Sequence, residues 1–106
     1  MTLKLSPRTQ AVVEKLFVVA EQPNVIKLLV EECGNNLPFC KESDEYKMDR
    51  IRFAVLKISN GDPLKFLEAL KLAKQDWRDV LVWAEFGSDL DAHNKWADEK
   101  IDLFHQ

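Results

Sequence analysis

What this sequence has least of is the material of turns. Three glycines and four prolines in 106 residues leave little for the many tight connections of a β-sandwich or barrel. The glycines also stand isolated, so no glycine-rich loop can cradle a phosphate. No uninterrupted apolar run approaches the roughly 18 residues needed to span a bilayer. Met1-Thr2-Leu3-Lys4-Leu5 lacks both the apolar core and the small-residue cleavage site of a secretory signal. A cytoplasmic protein with no membrane partner is therefore expected. Only two cysteines occur, Cys33 and Cys40, and in a reducing compartment both are expected as thiols. Basic excess is missing too: the net charge is −3 at pH 7, whereas a nucleic-acid-binding domain is usually net basic.

What remains is ample for a core. With 46% hydrophobic and 31% charged residues, the composition is that of a globular chain, and the length suits one domain spanning residues 1–106. The charge is unevenly spread. Residues 1–42 hold five acids and five bases, residues 43–75 five acids and seven bases, and residues 76–106 eight acids and three bases. A basic middle and an acidic end suggest charge matching within the molecule.

Helix starts and stops recur along the chain. Ser6-Pro7 is a capping hydroxyl followed by a proline where a missing N–H is harmless, and Val12, Val13, Leu16, Phe17, Val19 and Ala20 fall on one arc at 100° per residue. The first helix is thus expected over 7–20. Gln22-Pro23 opens a second, with Val25, Ile26, Leu29, Val30 and Cys33 inward and Gly34 as its C-terminal cap. A long loop of turn formers covers 34–42. Ser43, Asp44 and Glu45 start a third helix that runs to about Ser59; Met48, Ile51, Ala54, Val55 and Ile58 form one apolar stripe, and Tyr46, Phe53 and Leu56 another nearly opposite. A helix apolar on both sides belongs in the centre.

Asp62-Pro63 begins a fourth helix, with Leu64, Phe66, Leu67, Leu70 and Ala73 inward and its end near Lys74. Asp76 caps a fifth, which closes at Gly87 and turns Trp77, Val80, Leu81, Trp83 and Ala84 inward, with Trp77 anchoring it on the third. Ser88 and Asp89 open a sixth, whose inner face holds Leu90, His93, Trp96, Ala97, Ile101 and Phe104. The fold class predicted is all-α, a compact bundle of five to six short helices in irregular or orthogonal packing.

Motifs for chemistry are weak. Cys33, Cys40, His93 and His105 could be written as a zinc set, but the cysteines are seven positions apart and the histidines twelve, which suits no common knuckle. Asp89-x-Asp91-x-His93 starts like a calcium loop, yet Asn94 replaces the turn glycine and Lys100 the terminal glutamate. No cofactor and no metal are expected. A cysteine with His93 makes a dyad on paper, with Asn35 or Asn36 as third member, but His93 lies on the apolar face of its helix, the usual place of a core histidine. Lys47, Arg50, Arg52 and Lys57 scatter around the third helix instead of lining one stripe, which fits pairing with the acidic last third better than nucleic acid.

Partner binding is the functional class left. Val82 and Phe86, four apart toward the polar side of the fifth helix, and Asn35, Asn36, Leu37 and Phe39 in the long loop are the candidate partner-binding residues, because apolar groups outside a core can mark an interface. The partner is expected to be another protein or a second copy. Glu32-Cys33-Gly34-Asn35-Asn36-Leu37-Pro38, Arg50-Ile51-Arg52-Phe53-Ala54, Asp76-Trp77-Arg78-Asp79-Val80-Leu81 and Ala92-His93-x-x-Trp96 make the chain resemble a group of small uncharacterised bacterial proteins. That resemblance implies a bacterial cytoplasmic origin and brings no activity with it. The reading is a non-catalytic helical interaction or regulatory module; the alternative is a small enzyme using acidic residues and His93.

Overall fold

Helix α1 (Pro7–Leu16) opens as its residue types require. The Ser6 side chain accepts the Thr9 amide at 3.2 Å, and Pro7 occupies the first turn. The computed structural model describes residues 5–34, 45–87 and 91–102, and among them the chain is all-α. α1 ends earlier than the periodicity predicts. Phe17 is extended (φ −113°, ψ 146°), and the Gln22 side chain donates to the Phe17 carbonyl at 2.9 Å, so the helix stops before the β-branched pair Val18-Val19. Val19 and Ala20, expected inward, are exposed.

α2 (Gln22–Glu32) turns Val25 and Leu29 inward and ends at Cys33. α3 (Glu45–Ser59) is central, in contact with α1, α4 and α5, and buries six consecutive residues, Ile51 to Leu56. Its two predicted apolar stripes explain five of these. The sixth is Arg52.

α4 (Pro63–Trp83) starts on the Asp62 cap, whose carboxylate accepts the Leu64 amide at 2.9 Å, and it makes the most extensive contact with α3. It is the fourth and fifth predicted helices end to end, broken at Asp76 (φ −162°, ψ 107°). The predicted second cap is real: the Asp76 carboxylate accepts the Arg78 amide at 3.0 Å and the Arg78 guanidinium at 2.8 and 2.7 Å. Those hydrogen bonds hold its carboxyl below the usual aspartate range.

The end of α4 differs from expectation. Glu85, not Gly87, takes the left-handed conformation (φ 66°). The Phe86 amide bonds back to Leu81 and the Glu85 amide to Val82, the paired bonds of a Schellman turn. α5 (Ala92–Asp102) follows Asp91, with His93 and Ala97 fully buried and Trp96 and Ile101 half-buried against the core. Leu90 and Phe104 lie outside the described residues.

Candidate functional site

Among the described residues, two places gather chemistry, and they differ in access. The first is the junction of α1, α3 and α5. Ser6 Oγ and Thr9 Oγ1 each donate to Asp49 Oδ1 at 2.8 Å, and Arg8 joins α5 through Asp98 at 2.8 Å and the Asn94 carbonyl at 3.2 Å. His93 is close enough to feel Arg50, Asp49, Asp91 and Arg8. A serine, a carboxylate and a histidine invite comparison with a nucleophilic triad, in which the imidazole stands between the other two. Here the Ser6 hydroxyl donates its hydrogen bond directly to Asp49. Ser6 is 5% exposed and His93 has no exposed surface, so no substrate can reach them in this arrangement. Burial, then Arg50, pushes the His93 ring below the ordinary histidine value, against Asp49 and Asp91. The ring is neutral at pH 7 and the junction works as an anchor between helices. Cys33, the described cysteine of the paper dyad, is likewise fully buried.

The second place is open. A groove of about 460 Å³ is lined by Lys57, Ile58, Lys65, Glu68, Trp83, Ala84 and Glu85, where the end of α3 meets both ends of α4. Trp83 stands on its edge 56% exposed, and its neighbour Val82 is 70% exposed. The predicted inward placement of Trp83 is thus overturned. On a wheel of about 100° per residue, Trp83 sits about 60° beyond Val80, at the margin of the arc that Val80, Leu81 and Ala84 bury. Leu64 and Leu67, also expected inward, are 73% and 48% exposed on the first half of α4, and Val18 is exposed in the α1–α2 turn.

The predicted partner-binding residues fare unequally. Val82 is on the surface. Phe86 is 1% exposed, which corrects its placement beside Val82. The four-residue spacing counts only inside a helix, and α4 ends at Trp83; the left-handed Glu85 swings Phe86 inward, where its ring lies 6.2 Å from that of Trp96. Asn35, Asn36, Leu37 and Phe39 lie outside the described residues.

The basic residues of α3 are also used differently from the expectation. Arg50 and Lys57 do reach the last third, but through main-chain carbonyls, Arg50 donating to Phe86 at 2.6 Å and Lys57 to Ala84 at 2.8 Å, while Arg52 donates to the Cys33 carbonyl at the end of α2 at 2.9 Å. A helix C-terminus carries unsatisfied carbonyls and partial negative charge, so it attracts cations as acids do. Counting charges by segment cannot see that attraction.

Among the described residues, no group of three or more histidine, cysteine, aspartate or glutamate side chains could hold a metal ion, and no helix is long and apolar enough to cross a membrane. Comparison with family models, with curated proteins and with solved structures gave no match to this chain.

Proposed function

We propose that this chain is a non-catalytic helical module that binds another protein through the end of α4. The observation that carries the reading is the adjacent exposure of Trp83 and Val82 on the rim of an open groove. Tryptophan is costly to leave in water and is over-represented among the residues that dominate protein interfaces. Lys57, Lys65, Glu68 and Glu85 give that groove charges of both signs, the composition of a polar rim around an apolar anchor. The alternative, an enzyme working through His93 and nearby acids, is opposed by the burial of His93.

Site-specific photo-crosslinking in the native host tests this. A crosslinker placed at position 82 should give one discrete protein adduct, identified by mass spectrometry, that disappears when Trp83→Ser is added. A crosslinker at exposed Gln10 should not give it. An adduct whose mass equals a second copy of this chain would identify the partner as the protein itself. Absence of a discrete adduct at 82, or an equal adduct at 10, would remove the proposal.

A further inference from the structure

α5 is held to the bundle by an aromatic wedge that contains a titratable ring. His93 lies between Phe53 of α3, with ring centroids 5.8 Å apart, and Phe86 of the turn after α4, at 6.4 Å. Trp96, nearly one turn further along α5, meets the same two rings at 6.1 and 6.2 Å. α1 also holds α5, through the exposed Arg8–Asp98 pair at 2.8 Å and the bond from Arg8 to the Asn94 carbonyl at 3.2 Å. The wedge is one of the contacts that dock this helix, beside buried Ala97 and the bonds of Arg8, and it is the one that contains a titratable ring.

We propose that His93 is a proton-operated latch: protonation of its ring releases α5 from α1 and α3 and uncovers the apolar faces of Phe53 and Phe86 on the bundle and of Trp96 on α5.

The surroundings favour expulsion over accommodation of an imidazolium. α1 presents Arg8 to the ring, and α3 presents both Arg50 and Asp49. The turn after α4 contributes the Phe86 ring, which already has Lys57 Nζ 5.0 Å from its centroid, and the Phe86 carbonyl, which Arg50 occupies. Asp91, just before α5, is exposed. Asp49 is the anion best placed to meet a new charge. Its Oδ1 already accepts Ser6 and Thr9, so any movement of the carboxylate toward His93 works against the anchor at the start of α1.

The sign follows from linkage. The docked ring has its pKa lowered from the ordinary value of about 6.5, so the released helix binds a proton more readily than the docked one. Docking is at full strength above about pH 6.5 and weakens as pH falls toward the docked ring's lower value. With one proton involved, the opening constant of α5 rises by at most about tenfold per pH unit.

Amide hydrogen exchange of the whole chain between pH 7.5 and 5.0 tests the latch. After correction for intrinsic exchange rates, opening of α5 amides should rise toward tenfold per unit below about pH 6.5, while Val55 and Leu56 in α3 keep their protection. A hydrophobic dye should bind over the same range. His93→Phe, which keeps a ring in the wedge, should abolish both changes. Should that variant not fold, the His93 ring resonances of the unaltered protein must titrate together with the Trp96 indole N–H. Unchanged α5 protection down to pH 5.0, an equal loss in His93→Phe, or simultaneous opening of α3 would each overturn the proposal.

Discussion

Arg52 and Cys33 join the middle of the central helix to the end of α2: the Arg52 Nε donates to the Cys33 carbonyl at 2.9 Å, and Nη2 reaches the Leu29 carbonyl at 3.3 Å. With 1% of its surface exposed, Arg52 is a cation inside the core. Burial lowers its pKa, opposed by Cys33 and Asp49, yet a guanidinium stays charged at any physiological pH. Its planar fork reaches the Cys33 carbonyl at the end of α2 and adds a second donor to the Leu29 carbonyl, which also accepts the Cys33 amide at 3.1 Å.

Arg52→Met should therefore destabilise the protein by about 3 kcal/mol. Losing the donor to the Cys33 carbonyl costs roughly 1–3 kcal/mol, and hydrogen bonds to a charged group contribute about 1.5–3 kcal/mol. Arg52→Lys should fall between, because an ammonium keeps the charge and loses the fork. Urea unfolding of the three proteins gives the order directly. An Arg52→Met variant as stable as its parent would mean that water or a side chain can replace the cap.

Glu85→Gly should stabilise. Glu85 is an exposed, non-glycine residue at φ 66°, and the left-handed conformation costs an L-residue roughly 1–2 kcal/mol. Part of that gain is offset by the greater freedom of glycine in the unfolded chain, leaving about 0.5–1 kcal/mol. For a domain of this size the melting temperature should rise by roughly 2–8 °C. Glu85→Ala is the control and should gain nothing, since alanine meets the same steric cost. A melting temperature unchanged by glycine would indicate that α4 ends differently in solution.

The helices were legible in the sequence because each has a local cause. Ser6, Asp62 and Asp76 cap the segments they were expected to cap, and even the break inside α4 was announced by Asp76. The central place of α3 followed from its two apolar faces. What could not be read were features set by the fold as a whole. Nothing local to Arg52 says that the end of α2, and not the acidic last third, lies beside it. The helix stops two residues before the expected Gly87 turn, at a left-handed Glu85, and that difference turns Phe86 from solvent to core. Trp83 is exposed although the wheel puts it at the arc's edge, because an edge becomes surface or interior according to what packs beside it.

Cys33 should be inert in the native protein. Its thiol has no exposed surface at the end of α2, and a reagent must reach the thiolate to react. Brief alkylation under native conditions followed by peptide mass spectrometry should leave Cys33 unmodified, whereas denaturant should expose it fully. Labelling at Cys33 as fast as in denaturant would show that the end of α2 opens readily. The sequence also predicts that Cys40 reacts faster; that residue lies outside the described ones, and the same experiment reads it.

The two tryptophans of the second half of α4 should separate stability from recognition. Trp77 is half-buried and packs against the core, as its predicted anchoring role requires in part. Full burial would make truncation to alanine cost ~3–5 kcal/mol; partial burial reduces this to about 2–3 kcal/mol. Trp83, 56% exposed, should cost less than about 0.5 kcal/mol, the usual range for a surface substitution. Urea midpoints of Trp77→Ala and Trp83→Ala should thus differ clearly, and native tryptophan emission should lose its most water-exposed component in Trp83→Ala alone. Binding should show the reverse order, with Trp83→Ala abolishing the adduct formed from position 82 and Trp77→Ala retaining it in proportion to the folded fraction. Equal destabilisation by both variants would mean that the segment after Asp76 is rotated so that Trp83 faces the core, and the groove beside it would then lose its claim to be the contact surface.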